Sequence, residues 1–272
     1  MSERAAPSTL AQMLAVARIT FKIQITYRFD VIMNAVAVIS RVLFAWILWG
    51  VVFTSRETVA GFTYPAMLSY YVVSSFLTSL DLSQEVGFEI AARVRGGTFT
   101  KFMVIPIHPQ LHFLASTIGA SVYYALFTLL AAAVSALMFS PFGLALPDIG
   151  AAVCALVMIP AGLTFMIAFY FIVGILSLKL QDVGAHMWGN IVSFCTGSMI
   201  PLTLLPGWAQ DGLAWLPFPY VTYTPSMLLT GRLDAAQGMR GLIIIIIWMV
   251  PALLIGRFLY NHLRASHEGV GL

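Results

Sequence analysis

The sequence predicts an all-α integral membrane protein. Of its 272 residues, 60% are hydrophobic and only 9% are charged, and the mean hydropathy is +0.92. Several apolar runs are as long as the ~20 residues that a helix needs to cross a bilayer. No polar stretch is long enough to form a soluble domain, so residues 1–272 are expected to form a single transmembrane domain.

Residues 1–30 are expected to form an amphipathic helix that lies in the membrane interface and leads into the first span. They show no apolar core followed by the small-residue site at which a signal peptide is cleaved. Arg18 and Lys22 lie off the apolar face of this helix. The apolar face consists of Leu10, Met13, Leu14, Ala17, Phe21 and Ile25.

Six apolar segments are expected to span the membrane. Pro160 and Gly162 lie inside the fourth and predict a kink or a tilt. Gly197 and Pro201 predict that the fifth breaks before it leaves the membrane. The predicted spans are 31–53, 65–82, 113–139, 149–178, one that begins near His186, and 241–260.

Residues 197–240 are too apolar for a free loop and too often interrupted for a span. Pro206 and Pro217 break them, and Trp208 and Trp215 suit a membrane interface. This outer segment is therefore expected to form short re-entrant or interfacial helices before the last span.

Basic residues predict the orientation of the chain. Six spans place both termini on the same side, and loops rich in lysine and arginine face the cytoplasm. Three basic residues, Arg56, Arg232 and Arg240, fall on one side. Ten fall on the other, which is therefore expected to be cytoplasmic: Arg4, Arg18, Lys22, Arg28, Arg93, Arg95, Lys101, Lys179, Arg257 and Arg264.

Residues 83–109 form a polar segment between two apolar runs. Read as a helix, it carries an apolar stripe of Val86, Ile90 and Val94. Glu85, Glu89 and Arg93 repeat on the neighbouring face, and Glu89 precedes Arg93 in the favourable order for an ion pair. Gly96 and Gly97 are typical of a helix end. The segment is either a solvated helix on the headgroups or a docking surface for a cytoplasmic partner.

Two ionisable residues fall inside or next to the predicted spans. Arg41 lies in the middle of the first, where an unpaired charge is costly, and Asp81 lies near the end of the second. We expect Asp81, Glu85 or a polar cavity to satisfy Arg41. The alternative is that its side chain extends to the interface.

The sequence lacks the motifs of an enzyme. It contains no GxxxxGK[ST] ATP-binding loop, no HExxH, no CxxC and no GxSxG. Cys154 and Cys195 lie within apolar runs, and the five histidines form no metal-ligand spacing. The chain is therefore expected to bind no cofactor of its own. Its net charge of +3 is spread along the spans, which does not indicate nucleic-acid binding.

A set of short motifs, in order along nearly the whole chain, carries a family resemblance. Those in the first half are Tyr27-Arg28-x-Asp30, Trp46-x-x-Trp49, Gly61-Phe62-Thr63, Met67-Leu68-x-Tyr70-Tyr71 and Arg95-Gly96-Gly97-Thr98 with Pro106. Those in the second half are Ile200-Pro201, Leu205-Pro206-x-Trp208, Leu216-Pro217-Phe218 and Pro225. In these the chain resembles the six-span permease subunit of type-2 ABC exporters (ABC-2), in particular the small stand-alone permeases of bacteria.

The resemblance implies a division of labour between chains. A separate P-loop ATPase, two copies per complex, would bind ATP and Mg, and a second permease, identical or not, would complete the path. Glu85, Glu89, Arg93 and Arg95 would form a coupling helix that docks on the ATPase. Gly197, Pro201, Pro206, Trp208 and Pro217 would belong to an outer gate. The location would be the bacterial plasma (inner) membrane.

These observations predict an exporter subunit that moves an amphiphilic or hydrophobic substrate. Two alternatives remain. An ion-coupled secondary transporter would favour paired broken helices and buried acids, whereas this sequence has one broken helix and Asp81. A membrane scaffold subunit that transports nothing is the other.

Overall fold

The computed structural model describes residues 8–103, 105–139, 147–177 and 185–268. These residues are almost entirely helical and form no named strand; Val59 and Phe62 make one isolated bridge. The α-helices in the described ranges are α1 (Thr9–Thr26), α2 (Arg28–Val52), α3 (Tyr64–Leu80), α4 (Ser83–Arg95), α5 (Pro109–Phe139), α6 (Ile149–Leu176), α7 (Ala185–Cys195), α8 (Gly207–Leu213), α9 (Tyr223–Leu229) and α10 (Ala235–Glu268).

Four of the described helices are long and apolar enough to cross a membrane. They are α2 over Arg28–Val52, α5 over Pro109–Met138, α6 over Ile149–Leu176 and α10 over Ala235–His262. The second predicted span corresponds to α3, which has 17 residues, and the fifth corresponds to α7, which has 11. At 1.5 Å per residue, α7 is only about 16 Å long, roughly half the thickness of the bilayer core.

The helix ends gather in two groups, because α3 runs opposite to α2, and α6 and α10, which are parallel to each other, both run opposite to α5. Asn34 donates to the Ser79 carbonyl and Tyr64 donates to the Trp46 carbonyl, which makes α2 and α3 antiparallel. Phe113 near the start of α5 packs with Phe171 of α6 and Tyr260 of α10 in one buried cluster. The polar segment 83–109, with α4, therefore lies at the end of the bundle where α3 ends and α5 begins.

Helix α1 packs along α5 through a close backbone approach. A Cβ on Gly119 would overlap the backbone of Ala17, and the Phe21 and Tyr123 rings meet edge to face with centroids 5.3 Å apart. Both contacts are offset by the same number of residues, so α1 runs in the same direction as α5 here. The predicted location of α1 in the membrane interface stays a prediction.

Helix α6 is the centre of the core. Its buried side chains belong to two clusters: one with α9 and α10, and another with α4, α5 and the end of α10. The helix continues past Pro160 without interruption. A Cβ built on Gly162 would lie 3.2 Å from the Val221 Cα. Gly162 therefore allows α6 to pack closely against the segment before α9.

Candidate functional site

Helix α4 has the two-faced character that its sequence predicts. Val86 is 3% exposed and Ile90 is fully buried, and Val94 packs partly buried beside them. Their neighbours come from four other elements, and include Phe99, Phe113, Ile175 and Tyr260. The apolar stripe is thus confirmed as the face that joins α4 to the long helices.

Two glycines bring α4 unusually close to α6. A Cβ on Gly174 would lie 2.9 Å from the Ile90 Cβ, and one on Gly87 would lie 3.3 Å from the Tyr170 carbonyl oxygen. Larger side chains at either position would push the helices apart. The structure thus assigns Gly174 to the contact between α4 and α6.

The face of α4 beside this stripe is charged and accessible. Glu85, Glu89 and Arg95 are exposed, and Arg93 is half-buried. The predicted pair forms: Arg93 Nη2 lies 2.6 Å from Glu89 Oε1, and Arg93 Nε donates to the same oxygen at 2.9 Å. Both side chains reach solvent, so the pair contributes at most ~0.5 kcal/mol to helix stability. The Arg93 guanidinium also lies 4.9 Å from the centroid of the Phe102 ring.

Acidic and basic charges separate along this face. Burial raises the pKa of the Glu85 carboxyl, and the nearby negative charges of Asp30 and Glu89 raise it further. Arg93 and Arg95 lie in the last turn, where cations are favoured by the helix dipole. The face therefore offers a negative patch at one end and a positive patch at the other.

The structure does not form the predicted Arg41–Asp81 ion pair: within the described ranges, no ion pair joins these side chains. Because Asn34 is level with Ser79 in the antiparallel pair, Arg41 lies seven residues farther along α2, about 10 Å away from the Asp81 end. Asp81 Oδ1 instead accepts a hydrogen bond from the Ser83 amide at 3.1 Å. Asp81, which ends α3 and precedes the N-cap residue Leu82, therefore satisfies the first amide of α4.

Comparison with known families identifies the chain. A family model described as "ABC-2 family transporter protein" matches residues 36–268. The chain belongs to the ABC-2 family of transporter proteins. It is thus a multi-pass membrane protein and a membrane subunit of an ABC transporter. No curated protein and no solved structure matches it.

The residues expected at the outer gate of this ABC-2 protein fall into two groups. Gly197, Pro201 and Pro217 lie toward the interior, whereas Pro206 is exposed and Trp208 is 80% exposed. Short α-helices and 3-10 turns fill this segment. Their assignment to an outer gate stays a prediction.

The break after α7 is held by two tyrosines that the sequence analysis assigned no role. Gly197 has φ +75°, a conformation that favours glycine. Tyr70 donates to the Gly197 carbonyl at 2.7 Å, and Tyr71 donates to the Met199 carbonyl at 3.0 Å. Helix α3 thus satisfies carbonyl groups that the interrupted helix leaves open.

An apolar groove of about 370 Å³ opens between α6, α7 and α10 of the ABC-2 protein. Its wall exposes no nitrogen or oxygen atom. The Phe169 ring contacts Phe218 and Trp188 edge to face. This groove is not evident from the sequence, because its aromatic residues come from segments far apart in the chain: Phe165, Phe169, Trp188, Phe218 and Trp248.

Proposed function

We propose that this chain is the membrane-spanning subunit of an ATP-driven exporter, powered by a separate ATPase chain and moving an amphiphilic or hydrophobic substrate out of the cytoplasm or the inner leaflet. Membership in the ABC-2 family supports the class. The observation that carries the coupling role is α4: a helix clamped to α6 on one face and charged on the other.

Helix α4 suits the transmission of a movement. A partner that pulls or pushes the charged face would move a helix whose neighbouring face is interlocked with α6 through Ile90 and Gly174. Packed helices shift as rigid bodies rather than deforming continuously. Glu85, Glu89, Arg93 and Arg95 are therefore the proposed contacts with the ATPase, which would bind ATP and Mg in two copies per complex.

We propose six passes through a bacterial plasma membrane, with both termini cytoplasmic. In this arrangement α3 crosses as a short helix, and α7 with the chain that follows it makes the fifth pass. The placement of charged residues supports it, because α4 with Arg93, Arg95 and Lys101 lies at the opposite end of the bundle from Arg232 and its contact with Gly61. Residues 197–240 would then form the outer re-entrant segment.

The apolar groove supports the proposed substrate class. The wall of the groove exposes no polar atoms. A ligand that enters the groove from the bilayer must therefore present hydrocarbon to this wall, since a polar group would lose its hydrogen bonds there. A second permease, identical or not, would face this chain and complete the path.

The test is purification of the tagged chain from its native membrane in mild detergent, followed by mass spectrometry. We expect a P-loop ATPase in near-equal amount, and the double variant Glu89→Lys with Arg95→Glu to lose it. A matched control is Arg56→Glu with Glu57→Lys, which reverses one acid and one base that are exposed in the loop after α2; it should retain the ATPase.

Transport measures what the loss of this contact does to function. In vesicles that contain both chains, the ATPase should still hydrolyse ATP beside the Glu89/Arg95 variant, but substrate should not move, at normal expression of the permease. Transport at the wild-type rate would exclude these residues as the coupling contacts.

One observation favours an ion-coupled secondary transporter. A small polar cavity, lined by Asp81, Ser193 and Thr196 among others, lies beside the α7 break. A chain that purifies alone and transports in vesicles without ATP would establish that function instead.

A further inference from the structure

A second cavity of the molecule is small, polar and internal. It has a volume of about 70 Å³ and lies where α3 ends, α4 begins and α7 breaks. Val192 of α7 lines both this cavity and the apolar groove. The residues around it whose side chains bear oxygen are Thr78, Asp81, Gln84, Tyr170, Ser193, Thr196, Ser198 and Thr222.

The oxygen atoms around this polar cavity are mostly acceptors. Thr196 Oγ1 and Ser198 Oγ both donate to the Ser193 carbonyl, at 3.1 and 2.9 Å. Each hydroxyl carries a single hydrogen, so both oxygens keep only lone pairs for the cavity. Thr78 Oγ1 is buried and has no hydrogen-bond partner among the described residues. These acceptors and the Asp81 carboxylate favour an occupant that is positive or donates hydrogen bonds, while the Gln84 amide and the Tyr170 hydroxyl supply donors in the lining.

The charge balance points in the same direction. Asp81 carries the one formal charge among the described residues that line the cavity, and none of them is basic. Helices α3 and α7 both end here, at Leu80 and Cys195, and the C-terminal end of a helix is its negative end. The Ser83 amide at the start of α4 offsets part of this negative potential by donating to Asp81.

We propose that this cavity binds a monovalent alkali cation, Na⁺ or K⁺, through the Asp81 carboxylate and the surrounding hydroxyl oxygens. Hard cations prefer oxygen ligands, and divalent Ca²⁺ is usually held by more carboxylates than the one present here. No histidine or cysteine lines the described cavity, which disfavours transition metals. Broken helices hold Na⁺ at their C-terminal ends in transporters of other folds.

The cation would connect two elements that move in the proposed function. Gln84, in the first turn of α4, lines the cavity and its side chain fills the space above Gly189 of α7. Occupancy would therefore tie the start of α4 to the broken end of α7. The binding itself does not depend on an ATPase, so it can be tested on the purified permease alone.

The experiment measures thermal unfolding of the purified chain in detergent at constant ionic strength. NaCl or KCl replaces N-methyl-D-glucamine chloride, whose cation is too large for the cavity. We expect one of the alkali cations to raise the unfolding midpoint in a saturable way, since a ligand that binds only the folded state stabilises it. Binding of radioactive ²²Na⁺ or ⁸⁶Rb⁺ gives a second measurement on the same samples.

Asp81→Asn is the decisive variant, because asparagine keeps an oxygen for the Ser83 amide and loses only the charge. We expect at least roughly tenfold weaker binding, since the cation loses its one charged ligand. If this variant does not fold, Thr78→Val and Ser198→Ala, which change neutral ligands, should each weaken binding. Asp30→Asn, outside the cavity, should bind as the wild type does.

An equal response to Na⁺, K⁺ and N-methyl-D-glucamine would overturn the proposal and leave a water-filled cavity. So would unchanged cation binding in Asp81→Asn, which would reduce Asp81 to a helix cap. A midpoint that responds to pH but to neither cation would indicate that Asp81 takes a proton instead.

Discussion

At the scale of single residues, environment decides what each charge of this protein does. The sequence predicts that Arg41 and Asp81 form an ion pair. Because α2 and α3 are antiparallel, however, these residues lie at different heights along the helix axes. Arg93 and Glu89 pair because four residues on one helix always bring two side chains together. Local spacing is therefore a better guide to ion pairs here than chemical complementarity.

Glu85 gives a pH-dependent prediction at this scale. Its carboxyl has a raised pKa in the folded chain, so ionising it costs more there than in the unfolded chain. Folding stability is thus lost as pH rises through the folded-state pKa, and the loss is absent below the unfolded-state pKa. Glu85→Gln should therefore raise the free energy of unfolding at pH 7. The increase should be less than about 1 kcal/mol, because the side chain reaches solvent.

The measurement is thermal unfolding of the wild type and of Glu85→Gln between about pH 4 and about pH 8, a range in which carboxyl groups lose their protons. The difference between the two unfolding midpoints should shrink toward low pH, where the Glu85 carboxyl is as neutral as the glutamine amide. Glu57→Gln, exposed in the loop after α2, is the matched control and should leave the midpoint unchanged. A destabilised Glu85→Gln protein would mean that the carboxylate makes a favourable contact.

At the scale of helices, glycines set the contacts that matter for function. Gly119 admits the backbone of α1, Gly174 admits Ile90 of α4, and Gly189 admits the Gln84 side chain. Small residues are common where membrane helices approach closely, because packing rather than the hydrophobic effect drives their association. The contacts of α5 with α1, of α6 with α4 and of α7 with α4 thus each depend on a glycine, which has no side chain.

Gly174→Ala tests the clamp between α4 and α6. The added methyl would meet the Ile90 Cβ at 2.9 Å, so we expect a loss of about 1–3 kcal/mol in stability, as for other overpacked cores. In the assembled transporter, transport per ATP hydrolysed should fall, because α4 would sit differently on α6.

The control for this variant is Gly212→Ala, where a Cβ would meet no atom within 4 Å. Ile90→Ala placed in the Gly174→Ala chain should recover part of the coupling, since it removes the outer carbons of the clash. Equal behaviour of Gly174→Ala and Gly212→Ala would show that the clamp is not tight.

At the scale of the whole molecule, the two ends of the bundle differ in charge and in construction. One end carries α4 with Arg93, Arg95 and Lys101, packed around the shared cluster of α5, α6 and α10. At the other, the Arg232 guanidinium stacks on Phe62 at 3.9 Å and donates to the Gly61 carbonyl. The excess of basic residues at the α4 end supports its proposed cytoplasmic location.

Cysteine accessibility tests this orientation. In a chain whose Cys154 and Cys195 are replaced by alanine, Trp208→Cys and Lys101→Cys each place one thiol at an exposed position. A membrane-impermeant maleimide added to intact cells, with the outer membrane made permeable, should label Trp208→Cys. It should label Lys101→Cys only after the inner membrane is opened.

The reverse pattern would invert the proposed topology and move α4 away from any cytoplasmic ATPase. Labelling of both positions in intact cells would contradict an odd number of membrane crossings between them.

The sequence by itself determined the membrane class, the positions of the long apolar helices and the two faces of α4, because these depend on composition and on residues a few positions apart. It also predicted that the fifth apolar segment breaks at Gly197. Only the tertiary structure decided which helices the glycines bring together, why Arg41 and Asp81 stay apart, and that Asp81 shares a cavity with hydroxyls of the α7 break. Those features involve residues that are about 40 to 140 positions apart, and no local periodicity encodes the packing of distant helices.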